Sequence, residues 1–173
     1  MTFTKSCLAL ASAATIALTS FGAHAQAPNL IGNFGDWAAY SFEENGKKVC
    51  YMVTQPKKAE GKYTKRGDIF ALITHRPAEK TKNVFSYITG YTYKNNSEVT
   101  VTIDGNNTKL FTQKDMAWTK SPGADNGLAL AVRKGSKMVV KGRSSRGTVT
   151  TDTISLKGSG GAHDAINKTC GVK

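Results

Sequence analysis

The 173-residue sequence is short of the residues from which most catalytic and metal sites are built. It holds three histidines and three cysteines. No His-x-x-x-His pair and no Cys-x-x-Cys pair occurs, which removes the common zinc spacings. Gly-x-Ser-x-Gly is absent, and Gly158-Ser159-Gly160 lacks its spacing. Lys157-Gly158-Ser159-Gly160-Gly161 has no Gly-Lys-Ser/Thr ending, so no phosphate loop is present either. Past residue 25 no apolar run approaches the roughly 20 residues a membrane-spanning helix needs. Acidic residues are scarce too, 12 against 24 basic ones, for a formal net charge of +12. No metal and no cofactor is expected, and no transmembrane segment after residue 25.

What is present first concerns transport. Lys5 precedes an apolar stretch from Cys7 to Leu18, and Ala23-His24-Ala25 stands before Gln26. This is the three-part plan of a cleavable secretory signal over residues 1–25. Cys7 lies too early to mark a lipoprotein cleavage point. The remaining 148 residues carry a charge of +11 once Lys5 is removed. That length suits one domain with a real core, expected over 34–173 behind a loose leader at 26–33. A surplus of this size favours anionic surroundings: acidic polysaccharide, phospholipid headgroups, nucleic acid or an acidic partner. A plain solvated surface is the alternative.

With Cys7 gone, Cys50 and Cys170 form an even pair in an exported chain. Their one intramolecular connection would close a loop of about 120 residues, worth roughly 4–5 kcal/mol in the chain-entropy account. Two free thiols or an intermolecular bridge are the alternatives.

Turn signals recur along the chain. Asn45-Gly46 joins two apolar runs, at 36–43 and 47–55, as a hairpin. Pro56 to Gly67 is polar, lysine-rich and expected to be an exposed loop. Strands are expected over 69–75, 84–93, 98–103 and 109–113, with Asp104-Gly105-Asn106 turning the last pair. Residues 125–134 fit a short helix or a strand equally. Residues 137–142 and 148–156 form a third hairpin around Arg143-Ser144-Ser145-Arg146-Gly147. Ala162, Ala165, Ile166 and Thr169 share one helical face. The expected class is all-β: an antiparallel sandwich or barrel with one short C-terminal helix.

Candidate site residues follow from position. Lys137, Lys141 and Arg143 fall on one face of a strand and, with Arg146 in the following turn, form a basic surface. Asp152 lies mid-strand; a structural ion pair with Arg143 or Arg146 is favoured over a catalytic carboxylate. Trp37 reads as core, Trp118 less clearly so. His75 closes a strand and His163 opens the last helix, and both read as structural. Tyr63, Tyr87, Tyr91 and Tyr93 with Lys62, Lys65, Lys82 and Lys94 suggest either sheet tyrosines, the favoured reading, or a platform that stacks and neutralises nucleic acid or sugar. No RNP-type motif accompanies them, so no specific nucleic acid is expected. Three Asn-x-Ser/Thr sequons, at Asn95, Asn106 and Asn167, matter only in a glycosylating pathway.

Phe34-Gly35-Asp36-Trp37 and Cys50-Tyr51-Met52 with Gln55 make one half of a longer pattern. Lys141-Gly142-Arg143-Ser144-Ser145-Arg146-Gly147-Thr148, Thr151 to Gly158, Ala165-Ile166 and Cys170 make the other. Together they resemble the invasion-associated locus B family of α-proteobacterial exported proteins, across residues 34–171. The resemblance implies a periplasmic or outer-membrane-associated β-sandwich, linked to host-cell invasion in pathogenic members, with no established catalysis. Two departures stand out. Ala38-Ala39-Tyr40 lacks a Cys that many members carry after the Trp. Ser159-Gly160-Gly161 replaces an aromatic, which is expected to weaken packing of the last helix. The leading expectation is therefore a non-enzymatic envelope protein binding an envelope or host protein or an anionic surface. The alternative is a periplasmic enzyme using Asp152 or His75 in a cleft.

Overall fold

A computed structural model describes residues 27–173; the secretory signal read over 1–25, Cys7 included, lies outside the described residues. Eleven strands are joined in one antiparallel sheet. In chain order they are β1 (Asn29–Phe34), β2 (Trp37–Glu44), β3 (Lys47–Thr54), β4 (Lys58–Gly61), β5 (Phe70–Arg76) and β6 (Thr81–Ile88). After these come β7 (Glu98–Ile103), β8 (Asn106–Gln113), β9 (Met116–Trp118), β10 (Lys137–Arg143) and β11 (Val149–Ser155). The order across the sheet is β1-β2-β3-β5-β6-β9-β8-β7-β10-β11-β4. Most neighbours are joined by hairpins, as Asn45-Gly46 and Asp104-Gly105 dictate: Asn45, Gly46, Asp104 and Gly105 all take positive φ.

The sheet folds over on itself. Trp37 Nε1 donates to the Ser155 carbonyl (3.1 Å). The Asp36 amide donates to the Lys157 carbonyl (3.0 Å) and the Lys57 amide to Thr153 (2.8 Å). The first two bring the start of β2 against the end of β11, and the third continues the β4 edge along β11, giving a closed, barrel-like sandwich. The alternating inward residues fill it: Trp37, Met52, Ile73, Phe85 and Tyr87 from one side, Val99, Leu110, Met138 and Ile154 from the other.

Two expectations are corrected here. Asn29 to Asn33, expected in a loose leader at 26–33, lie in β1, which pairs with β2 from Asn29↔Ser41 to Phe34↔Trp37. Pro56–Gly67 is not wholly loop, because β4 forms an edge strand on β11.

Among the described residues two α-helices form: the expected C-terminal one, and one over the stretch 125–134 that fits helix or strand equally. Helix α1 (Pro122–Lys134) starts at Ser121, whose side chain accepts from the Ala124 amide. Pro122 at the first helical position loses no hydrogen bond, since that amide has no partner in a helix anyway. Leu128, Ala129 and Val132 are its buried stripe. Helix α2 (Ser159–Cys170) buries Ala162, His163, Ile166 and Cys170. Cys170 is bonded to Cys50 of β3, so the end of the helix is tied to the sheet.

Gly158, just before α2, and Gly161, in its first turn, allow a close approach to the helix. Gly158 holds φ +91°, and a Cβ there would lie 1.9 Å from the Phe34 carbonyl oxygen. A Cβ on Gly161 would press the Phe34 ring at 3.0 Å. Missing side chains let the β1–β2 turn close onto the helix. Trp118, left open by the sequence, is half-buried and lies against the exposed Phe111 ring, with centroids 5.7 Å apart.

Candidate functional site

Between β4 and β5 the chain runs through Lys62-Tyr63-Thr64-Lys65-Arg66-Gly67. One charge of this basic segment is turned inward. The side chains of Arg66 and Asp152 are only 3% and 1% exposed. Arg66 Nη1 and Nη2 each donate to one Asp152 oxygen at 2.6 Å. Its Nε donates to the Thr89 carbonyl (2.7 Å) and Nη2 also to Thr89 Oγ1 (3.1 Å). The Tyr87 hydroxyl donates to Asp152 Oδ2 at 2.5 Å. The rings of Tyr63 and Tyr91 flank the guanidinium at 5.5 and 5.0 Å.

A planar fork matched to a carboxylate and held between aromatic faces is what arginine provides and lysine does not. Burial opposes the charge on Arg66, but Asp152 outweighs it and holds the guanidinium above its ordinary pKa. Burial first, then the Asp152 charge, pushes the Tyr87 hydroxyl well above the phenol range. Asp152 thus sits in an ion pair, but its partner is Arg66; Arg143 and Arg146 are exposed and do not reach it. Both Asp152 oxygens are bonded inside the protein, to Arg66 and to Tyr87.

Beside this pair opens a cleft of about 590 Å³. One wall is Lys62–Gly67; the other is Tyr91, Thr92 and the turn 144–148 that follows β10. Four cations line it, the paired Arg66 and the three others Lys62, Lys65 and Arg146, and no carboxylate does. Both walls are fixed by backbone bonds: Gly67 amide to Gly90 carbonyl (2.9 Å) and Ser145 amide to Thr92 carbonyl (2.8 Å). Gly90 has φ +73°, and a Cβ there would meet the Gly67 oxygen at 2.3 Å, so only glycine permits the first contact.

On β10, Met138 and Val140 point into the core while Lys137, Lys141 and Arg143 are exposed. Register places Lys141 between Thr151 of β11 and Thr100 of β7. Arg143 Nη1 donates to the Gly147 carbonyl (3.0 Å) and so braces the turn that presents Arg146. Of the four basic residues expected to form one surface, three share a strand face and Arg146 belongs to the cleft.

The two histidines meet in a second buried cluster. The Asn83 amide donates to His75 Nδ1 (3.0 Å), which fixes the His75 proton on Nε2. That proton goes to Asn167 Oδ1 (2.8 Å). Asn167 Nδ2 donates to His163 Nδ1 (3.1 Å), His163 Nε2 donates to Asn83 Oδ1 (2.8 Å), and Asn83 Nδ2 donates to Asn126 Oδ1 (2.8 Å). Every donor has an acceptor only while both imidazoles are neutral. A second proton on His163 would face the Asn167 amide and the Arg133 guanidinium, 3.5 Å away. Burial, then the neighbouring His75 and Arg133, lowers the His163 pKa to about 4 despite Asp164 nearby. Burial lowers His75 also, with Lys82 adding to it and the Asn167 bond opposing it. Neither ring is open to a cleft as a base.

A pH dependence follows. A histidine that is harder to protonate when folded favours the unfolded chain once the pH drops below about 6.5. Stability is therefore intact above pH 6.5 and falls as the pH approaches 4. His163 alone accounts for a loss of about 3 kcal/mol at 1.36 kcal/mol per pKa unit. Urea unfolding of native protein and His163→Gln between pH 7 and 4 checks this. Parallel pH curves for the two proteins would contradict it.

Sequence reasoning missed Arg66, Thr89, Asn83 and Asn167. Arg66 gave no signal of its own among lysines. Asn83 gave none either, standing just before the 84–93 run; it takes φ +61°, which asparagine tolerates better than most.

The family model for invasion associated locus B (IalB) protein matches residues 37–167. The fold is similar to the crystal structure of invasion associated protein B from Bartonella henselae. The TM-score is 0.57 at 14% identity, covering 80% of this chain and 95% of that one. None of the curated proteins matches the chain in sequence.

Proposed function

The chain belongs to the invasion associated locus B family, and from that premise we propose that it is an exported, non-enzymatic envelope protein. It acts by binding a protein or an anionic surface, and aids contact with host cells where its carrier meets a host. The periplasm or the outer membrane is its place of work. One observation carries this reading: a strand that buries Met138 and Val140 exposes Lys137, Lys141 and Arg143, and leads directly to the exposed Arg146. In a chain of net charge +12 this places basic side chains on a rigid hairpin, where they attract anionic partners and steer their approach. The disulfide fits an oxidising compartment. Asp152 and His75, which an enzymatic alternative would require, are closed into internal bonds.

The test is capture from native envelope extract by the protein and by Lys141→Ala/Arg143→Ala/Arg146→Ala. These three residues are exposed, so the melting temperature should stay within about 2 °C. Salt-sensitive capture should be lost. Unchanged capture would show that another surface does the binding.

A further inference from the structure

We infer that the cleft between Lys62–Gly67 and the 144–148 turn binds an anionic saccharide, a sugar bearing carboxylate, sulfate or phosphate groups. The inference rests on the reading that this chain engages an anionic partner, and it names the partner's chemistry and the place.

Charge is the first ground. Among the described residues no ion pair engages Lys62, Lys65 or Arg146. The cationic group that is neutralised, Arg66, is the one built into the wall by Asp152. The cleft thus separates a structural charge from three available ones. With no carboxylate in the lining, nothing competes with an incoming anion.

The second ground is the remaining lining. The hydroxyls of Thr64, Thr92, Ser145 and Thr148 border the cleft, and none is engaged by another side chain there. They supply donors and acceptors in the mixed pattern that sugar hydroxyls need. The Tyr63 ring is 37% exposed and offers an apolar edge to sugar C–H groups. A nucleobase fits less well, because Tyr63 and Tyr91 already turn ring faces to Arg66 rather than offering an open stacking slot.

Size and rigidity are the third. A volume of about 590 Å³ lies in the range of small-molecule sites and far exceeds what a lone sulfate or phosphate fills. Both walls are pinned before any ligand arrives, by Gly67–Gly90, by Ser145–Thr92 and by the Arg66 pair. Little ordering is then left to oppose binding.

Isothermal titration with a heparin-derived tetrasaccharide, which carries both sulfate and carboxylate, tests this. Maltotetraose and sodium sulfate at matched ionic strength are the comparison ligands. The tetrasaccharide should bind, and Lys62→Ala/Lys65→Ala should weaken it about tenfold or more, as for the loss of one or two charge-assisted hydrogen bonds. Lys47→Ala/Lys48→Ala removes the same charge from the β2–β3 hairpin and should change affinity less than about threefold. Maltotetraose and sulfate should not compete. The cleft assignment is overturned if the tetrasaccharide does not bind, if both double variants weaken it equally, or if sulfate alone competes as well. Envelope capture by the native protein separates the two readings. If native protein captures envelope material but does not bind the tetrasaccharide, the cleft alone is overturned and the hairpin stays in place.

Discussion

Replacing Arg66 by methionine is expected to destabilise the protein by about 3–5 kcal/mol, the cost of leaving a buried charge without its partner. Asp152 is 1% exposed on its side chain and would keep only the Tyr87 hydroxyl. The Thr89 carbonyl and hydroxyl would lose their donors as well. Methionine retains much of the contact with Tyr63 and Tyr91, so the loss reports charge and hydrogen bonds more than volume. The double variant Arg66→Met/Asp152→Leu separates the pair from its parts. Removing both charges should recover most of the stability, since a buried ion pair is often no better than well-packed apolar residues. Urea unfolding measures all three. A single variant within about 1 kcal/mol of native would mean that water reaches Asp152 and that the pair does not hold the loop.

Loss of the Cys50–Cys170 bridge should be as costly. It closes a loop of 120 residues, and the chain-entropy account gives roughly 4–5 kcal/mol for that length. The effect has a local focus too. Cys170 ends α2, the helix that carries His163 and Asn167 into the polar cluster with His75 and Asn83. Without the bridge the helix is held by Ala162, Ile166, these hydrogen bonds, the Ser159 bond to Val132 and the Arg133–Asp164 pair, none of which lies beyond Asn167. Cys50→Ala/Cys170→Ala should therefore lose stability globally, and residues 159–173 should become the first site of proteolysis. A loss under about 1 kcal/mol, or first cleavage elsewhere, would contradict this role for the bridge.

The parts of this fold that were legible in the sequence are those written in local chemistry. Asn45-Gly46 and Asp104-Gly105 specify turns by backbone conformation alone. Lys137 to Arg143 shows its two faces through strict alternation. Cys50 and Cys170 could be paired by counting. Other features depend on residues far apart in the chain. Arg66 stands among lysines that do face solvent, and its burial is decided by Asp152, 86 positions later. His75 and Asn167 are 92 positions apart, and the donor chain that keeps both histidines neutral needs four segments at once. The Ser121-Pro122 pair is ambiguous in itself: it opens a turn or caps a helix, and only the buried stripe of Leu128, Ala129 and Val132 decides. The cleft was hidden for the same reason. Its Arg146 is legible as basic surface, and Lys62 and Lys65 as lysines beside Tyr63, but only packing of the 62–67 segment brings the two sets opposite each other.

The most direct measurement is the salt dependence of envelope capture, compared between the native protein and Lys141→Ala/Arg143→Ala/Arg146→Ala at equal folded fraction. If the basic hairpin is the contact surface, native capture weakens steadily with ionic strength, and the variant shows little capture at any salt concentration. A variant that follows the native curve would contradict it.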